Sequence, residues 1–197
     1  MPTRFDEQGR EVREGLLPFH GVHLANAALL VGLWWWSWRV FPGLPAEIPG
    51  HIGPGGIRWD PTTFRAWFSL PILAAVLTAF HYAMVPFIRR TNRFNIPSTA
   101  SFADLLPGDQ EEVRTLTIRF LQWMNVMLLV GLWLLQGGSY ETAMNPEGAL
   151  GATSAMGIVY LMVAPTFASI GFLVYMMRAV RDAEERARLS ALEPPSS

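Results

Sequence analysis

Apolar residues in this chain gather into four long blocks, at 22–41, 64–88, 115–136 and 152–177. Segments rich in proline, glycine and charge separate them. An α-helix rises about 1.5 Å per residue, so about 20 residues cross a hydrocarbon core of about 30 Å. Each block reaches that length, and the longer ones can tilt. The pattern predicts an all-α, polytopic membrane protein with four transmembrane helices in one membrane domain over 1–197. Residues 1–21 and 178–197 read as tails, and 42–63 as a loop on the far side. The first block runs about 20 apolar residues with no A-x-A-like cleavage site following it, so it reads as a retained anchor rather than a signal peptide.

Arginine placement orients the spans. Arg4, Arg10 and Arg13 precede the first block; Arg89, Arg90, Arg93 and Arg114 surround the middle loop; Arg178, Arg181, Arg186 and Arg188 follow the last block. The loop after the first block holds only Arg58 between the flanking Arg39 and Arg65, and the loop at 137–152 holds none. Positive residues stay on the cytoplasmic side. Both termini are therefore expected in the cytoplasm. Trp34, Trp35, Trp36 and Trp38 crowd the outer end of the first block, with Trp59 and Trp67 at the same level. Indole rings favour the headgroup boundary, which suits an aromatic belt. A partner protein, lipid or pigment is the other use for so dense a run.

Two of the spans repeat. Residues 26–34 (Asn-Ala-Ala-Leu-Leu-Val-Gly-Leu-Trp) match 125–133 (Asn-Val-Met-Leu-Leu-Val-Gly-Leu-Trp) at seven of nine positions. Spans two and four share an early proline (Pro71, Pro165), a later tyrosine (Tyr82, Tyr175) and a terminal arginine. The chain thus reads as two related helical hairpins in parallel orientation. An amide in hydrocarbon needs a partner, so Asn26 and Asn125 are expected to bond to neighbouring helices or to each other. Gly32 and Gly131, and Ala164, Ala168 and Gly171, are expected to form close-packing faces. Pro71 and Pro165 each free a carbonyl one turn back, which a bundle neighbour must absorb. At the start of span three, Asp109 with Glu112 reads as a capping box. Ser101 with Asp104 suggests a short helix that Pro107 stops.

Charge and composition narrow the chemistry. Hydrophobic residues make up 51% and charged residues 16%, against about 25% charged in an average soluble domain. Net charge is −1, which gives no basis for nucleic-acid binding. All fifteen basic residues are arginine, as codon bias in a GC-rich genome produces. The absence of cysteine excludes disulfides and thiolate metal sites.

The outer loop, Leu44 to Pro61, is the most distinctive segment. Its prolines and glycines demand specific turns and suggest an ordered cap. Glu47, His51, Arg58, Trp59 and Asp60 are its candidate ligand or loop-ordering residues. Glu47, His51 and Asp60 offer three donors, yet their spacing matches no metal motif, so no metal is assigned. His81 lies inside span two, about seven residues or roughly 10 Å from its cytoplasmic end. It is the candidate intramembrane ligand. An interhelical hydrogen bond, tetrapyrrole ligation and a proton relay are its competing uses. No cofactor is otherwise expected. His20 and His23 form an interfacial pair.

Leu44, Pro45, Ile48, Pro49, His51, Gly55 or Gly56, and Trp59 follow an L-P-x-x-I-P-x-H pattern with later glycine and aromatic positions. In this the loop resembles the Sdp-immunity-like family of bacterial membrane proteins. The resemblance covers residues 30–85. It departs at Thr62 or Thr63, where members commonly carry lysine, and at Gly53 and Pro54, where a polar residue is usual. The resemblance implies a bacterial cytoplasmic (inner) membrane protein, sometimes linked to toxin immunity or signalling, and supplies no catalytic site. Two functions follow as expectations. One is a non-enzymatic accessory subunit in the lipid bilayer, packed against other membrane protein subunits of a respiratory or photosynthetic assembly. The other is an immunity or signalling protein with a ligand-sensing external loop.

Overall fold

A computed structural model describes residues 4–5, 11–12, 19–53, 56–91, 102–145 and 152–192. Strands β1 (Arg4–Phe5) and β2 (Glu11–Val12) form a two-residue antiparallel ladder in the N-terminal tail. Helix α1 (Phe19–Val40) follows, then strands β3 (Glu47–Gly53) and β4 (Gly56–Pro61), paired as an antiparallel hairpin. The short α2 (Phe64–Trp67) leads into α3 (Ser69–Arg90). Two long helices, α4 (Pro107–Met144) and α5 (Ala152–Leu192), complete the chain.

Three helices are long and apolar enough to cross a membrane: Ser69–Arg90, Pro107–Met144 and Thr153–Leu189. The protein is a predominantly helical membrane protein. Helix α1 has 22 residues, but His23, Asn26, Ser37 and four tryptophans dilute its apolar character. The helical class holds at this level, and the outer loop between α1 and α2 is an ordered β-hairpin. Its alternating Ile48, Ile52, Ile57 and Trp59 suit a pleated surface better than a helix.

Helix α4 is the hub. Residue pairs Asn26–Asn125 and Leu29–Trp133 ascend together, so α1 runs parallel to α4. Pairs Thr78–Asn125 and Trp67–Gln136 run in opposite senses, so α3 is antiparallel to it. Helix α5 turns back along another face of α4, as Gly138–Ser154, Gly131–Leu161 and the stacked Phe120–Phe172 rings show. Among the described residues, the main packing of both α3 and α5 is against α4. Only 6% of the apolar window in α5 is buried, against 33% in α4, so α5 lies at the periphery.

The boundaries differ from the sequence reading in ways that have causes. Span two begins as α2, capped by Thr63 Oγ1 accepting from the Ala66 N–H (3.1 Å), and breaks at Phe68 before α3 starts. At 38 and 41 residues, α4 and α5 are about 57 and 61 Å long and outrun a bilayer core. The expected capping box does not form. Leu106 is the N-cap of α4, without a side-chain bond, and Pro107 starts the helix rather than stopping the preceding 3-10 turn at Phe102–Asp104. Proline suits this first position because its missing N–H has no helical partner there. Asp109 instead accepts two bonds from Arg186 of α5, at 3.1 and 2.6 Å. Ser101 lies outside the described residues.

Candidate functional site

Two polar regions stand out. The first is buried between α1, α3 and α4. Asn125 Nδ2 donates to Asn26 Oδ1 (2.9 Å) and Thr78 Oγ1 (3.3 Å). Asn26 Nδ2 donates to the Gln122 carbonyl (3.2 Å) and to Gln122 Oε1 (3.4 Å). The two repeated asparagines thus satisfy each other across parallel helices. Trp133 also uses its register: its Nε1–H donates to the Leu29 carbonyl (2.8 Å), with its ring 3.2 Å from where a Cβ on Gly32 would stand. Gln122 and Thr78 were not singled out in the sequence; each is one polar residue inside an apolar block, with no repeat to mark it.

His81 is buried in α3, and its Nδ1–H donates to the Leu77 carbonyl one turn back (2.7 Å). His23 is engaged elsewhere, with Nδ1 2.7 Å from the Tyr82 hydroxyl. The side chain of His20 lies outside the described residues.

The second region is the hairpin cap. Ile48 seats the hairpin by inserting, 3% exposed, into a cluster with Trp67, Phe68 and Ala143. Trp36 packs against Trp67, Trp133 and Tyr140 in the same layer, with centroids 5.6–6.2 Å apart. Trp35 and Trp38 point outward, 65% and 64% exposed, so the tryptophan run divides between packing and belt. Thr62 closes the base of the loop: its N–H bonds to the Ala46 carbonyl (2.9 Å) and its hydroxyl to the Pro45 carbonyl (2.5 Å). Both threonines that depart from the family pattern thus have local duties, Thr62 in closure and Thr63 in capping.

Within the hairpin, Arg58 and Asp60 point to one side of β4 and form a two-pronged pair, Nε to Oδ1 and Nη2 to Oδ2, both 3.1 Å. The register shifts between Pro49 and His51, leaving Gly50 bulged opposite. A Cβ on Gly50 would overlap the Asp60 carboxylate, so only glycine fits. Gly56 turns the chain into β4 with φ +105°, a conformation glycine tolerates. Glu47 is exposed at the start of β3, opposite Pro61, and Trp59 pairs with Pro49. The His51 backbone pairs with Arg58; its side chain lies outside the described residues. No cluster of three metal-ligating His, Asp or Glu side chains forms among the described residues.

Beneath the hairpin lies a cavity of about 1190 Å³. Ligand pockets commonly span roughly 300–1,000 Å³, so this space admits a sizeable molecule. Pro49, Gly50, Arg58 and Asp60 form its roof. Leu135, Gln136 and Ser139 of α4 form the floor, and Trp67, Ser69 and Ile72 one wall. Ile158 of α5 closes the opposite side, and Arg65 projects from α2. Of the loop candidates whose side chains are described, Arg58 and Asp60 line this space; Glu47 and Trp59 do not. Arg65 and Gln136 were missed in the sequence, since a flanking arginine and a terminal glutamine look ordinary until the fold folds the hairpin over them.

Gln136 has a second duty. Pro71 has no N–H to give the Trp67 carbonyl four residues back. Gln136 Nε2 donates to that carbonyl instead, at 3.2 Å. The absorption expected at Pro71 thus comes from a named side chain, and it fixes α4 to the α2–α3 break.

The close-packing residues are distributed unevenly. Gly131 meets Leu161, and Gly138 meets the backbone of Ser154, so tightly that a Cβ on either would overlap its neighbour. Gly171 is exposed, with nothing within 4 Å of a Cβ built there, and Ala164 and Ala168 are half-buried. The expected face on α5 is therefore not the one that meets α4; Gly157, where an added Cβ would stand 3.0 Å from Leu134, lies on that one. No family profile matches the chain, no curated protein is similar to it, and no solved structure matches its fold.

Proposed function

We propose that this protein is a non-enzymatic binding protein of the bacterial cytoplasmic membrane, whose external hairpin cap takes up a ligand. In this reading α1 is a fourth span and both termini are cytoplasmic. The arginine-rich ends of α3, α4 and α5 then lie inside, and the hairpin outside. The observation that carries the reading is the capped cavity. An ordered hairpin, seated by Ile48 and closed by Thr62, holds polar groups over a space floored by α4. The loop's likeness to the Sdp-immunity-like pattern points to the same segment. Immunity or signalling then consists of capturing a molecule at the outer surface and passing its occupancy to α4.

A second reading, an accessory subunit of a larger membrane assembly, draws on α5. Its outward face exposes Met162 and Phe167 at 70% each, while its packed face meets α4 and, near its end, Phe102 and Leu105. A photoreactive residue at Ser139, and separately at Val159 on the outer face of α5, separates the two in living cells. Capture of a small molecule or peptide at position 139 supports the ligand reading. A defined stoichiometric polypeptide adduct at position 159, with none at 139, overturns it in favour of the subunit reading. Absence of any adduct at 139 also overturns it.

A further inference from the structure

The cavity has two chemistries in separate places. Its apolar surfaces come from the helices: Leu70 and Ile72 of α3, Leu135 of α4 and Ile158 of α5. Its charges come from above, from Arg58, Asp60 and Arg65. Two arginines and one aspartate leave one positive charge. The pairing shows which: Arg58 is held by Asp60 in both its bonds, while Arg65 is exposed and makes no ion pair with a described residue. Thr63, Ser69 and Ser139 add hydroxyls on the same rim.

The helix arrangement decides how this space is reached. Helices α3 and α5 each pack on α4, and both line the cavity, α3 through Leu70 and Ile72 and α5 through Ile158. Ile72 and Ile158 stand on its rim, 42% and 39% exposed. Both belong to the apolar surfaces that these helices turn to the bilayer. With the hairpin as roof and two half-exposed isoleucines from different helices at the sides, the apolar approach to the cavity is between α3 and α5. The cavity therefore lies where an amphiphile places its own headgroup and first methylenes.

We propose that the cavity binds an amphiphile with an anionic headgroup, phosphate or carboxylate, admitted sideways from the outer leaflet between α3 and α5. The headgroup sits against Arg65 and the rim hydroxyls, and the tail leaves along Ile72 and Ile158. A guanidinium is suited to such an oxyanion by its paired donors. This inference rests on the ligand reading above and names the ligand's class.

The test uses the purified full chain in mild detergent, with lipid retention read by native mass spectrometry. Four probes are offered separately: phosphatidylglycerol, phosphatidylcholine, a long-chain fatty acid and soluble glycerol phosphate. Retention of phosphatidylglycerol over phosphatidylcholine is expected. Arg65→Gln should lower it about tenfold, the size of one lost charge-assisted hydrogen bond, with Arg65→Lys restoring part. Ile158→Trp should block retention by filling the apolar side, without touching the charge. Both positions are exposed, and unchanged thermal melting of each variant shows that the fold survives. Retention of fatty acid in the same Arg65-dependent way supports the site and assigns it to free amphiphiles. Equal retention of phosphatidylcholine, indifference to Arg65→Gln, or competition by glycerol phosphate as strong as by the lipids overturns the proposal. Should the cross-link at Ser139 still capture a non-lipid molecule, the ligand reading stands and only its amphiphile class is lost.

Discussion

The face of α4 that meets α1 and α3 carries Gln122, Asn125 and Gln136, all at most 1% exposed. The face that meets α5 carries Gly131 and Gly138. One helix therefore joins its neighbours by two unlike means. Toward α1 and α3 it offers amides whose partners sit at single positions: Asn26, Thr78 and the Trp67 carbonyl. Toward α5 it offers the absence of side chains, so that the two backbones approach closely. Amide pairs specify register, because a slip of one residue leaves a polar group unpaired in hydrocarbon. Glycine contacts specify distance, and they gain their strength from dispersion over the whole interface. The pairing that carries the proposed ligand site needs both: register keeps Gln136 under Trp67, and closeness keeps Ile158 beside Leu135.

The largest effect is expected where closeness has no slack. A Cβ on Gly138 meets the backbone N and Cα of Ser154, which cannot rotate away as a side chain can. Gly138→Ala should force α4 and α5 apart and cost about 3 kcal/mol or more, the upper range of overpacking. Gly131→Ala meets only the Leu161 side chain and should cost about 1 kcal/mol. Unfolding in detergent by a steric-trap or thermal measurement compares the two. Equal losses would show that the α4–α5 distance is not set at Gly138.

The amide face comes next. Asn125→Leu removes the shared donor to Asn26 Oδ1 and Thr78 Oγ1, leaving those two oxygens without it in an apolar surround, for about 2 kcal/mol. Asn26→Leu should cost a similar amount. The double variant should cost clearly less than the sum, because each single change already breaks the shared bond. Additive losses would mean the two asparagines are held by other partners.

These contrasts also mark what could be read from the chain alone. The asparagine pairing was legible because the repeat put Asn26 and Asn125 in one register beside Gly and Trp. The need to absorb Pro71 was legible because a proline's lost bond follows from covalent chemistry; its absorber, Gln136, was not, since that depends on which helix faces the break. The small residues of α5 misled, because Ala164, Ala168 and Gly171 share a face whatever that face meets. The capping box misled for a related reason. Asp109 has the spacing for a cap, but Pro107 already begins the helix, and a long-range arginine outcompetes the local bond. The outer loop was legible as ordered, through its prolines and glycines. That it is a hairpin roofing a cavity required the bulge at Gly50 and the seat of Ile48, both long-range.

Pro71 and Gln136 allow a sharper test of the amide face. Gln136→Leu should cost about 1–2 kcal/mol, the penalty for leaving the Trp67 carbonyl unpaired in a buried place. Adding Pro71→Ala to that variant gives the helix back its own N–H, four residues beyond Trp67, and should recover about half the loss. Pro71→Ala alone should bring much less, since Gln136 already serves that carbonyl. Thermal melting of the four proteins reads the cycle. No recovery in the double variant would place the role of Gln136 in the cavity floor rather than in the helix break.

The smallest effect is expected at the far end of α4 and α5, where a third kind of contact takes over. There the helices have outrun the hydrocarbon, and Arg186 bonds Asp109 while approaching Glu112 at 3.8 Å. The Arg186 side chain is 43% exposed, so water and salt screen much of this attraction, yet the Asp109 side chain is only 8% exposed. The arginine is thus replaceable in charge but not in position. Arg186→Gln should loosen this end by about 1 kcal/mol or less. The change should appear as faster proteolysis beyond Arg181 rather than as a lower global melting point, and raising the salt should narrow the difference from the parent protein. A loss as large as that of Gly138→Ala would mean that the charged end, not the glycine seam, holds α5 on α4.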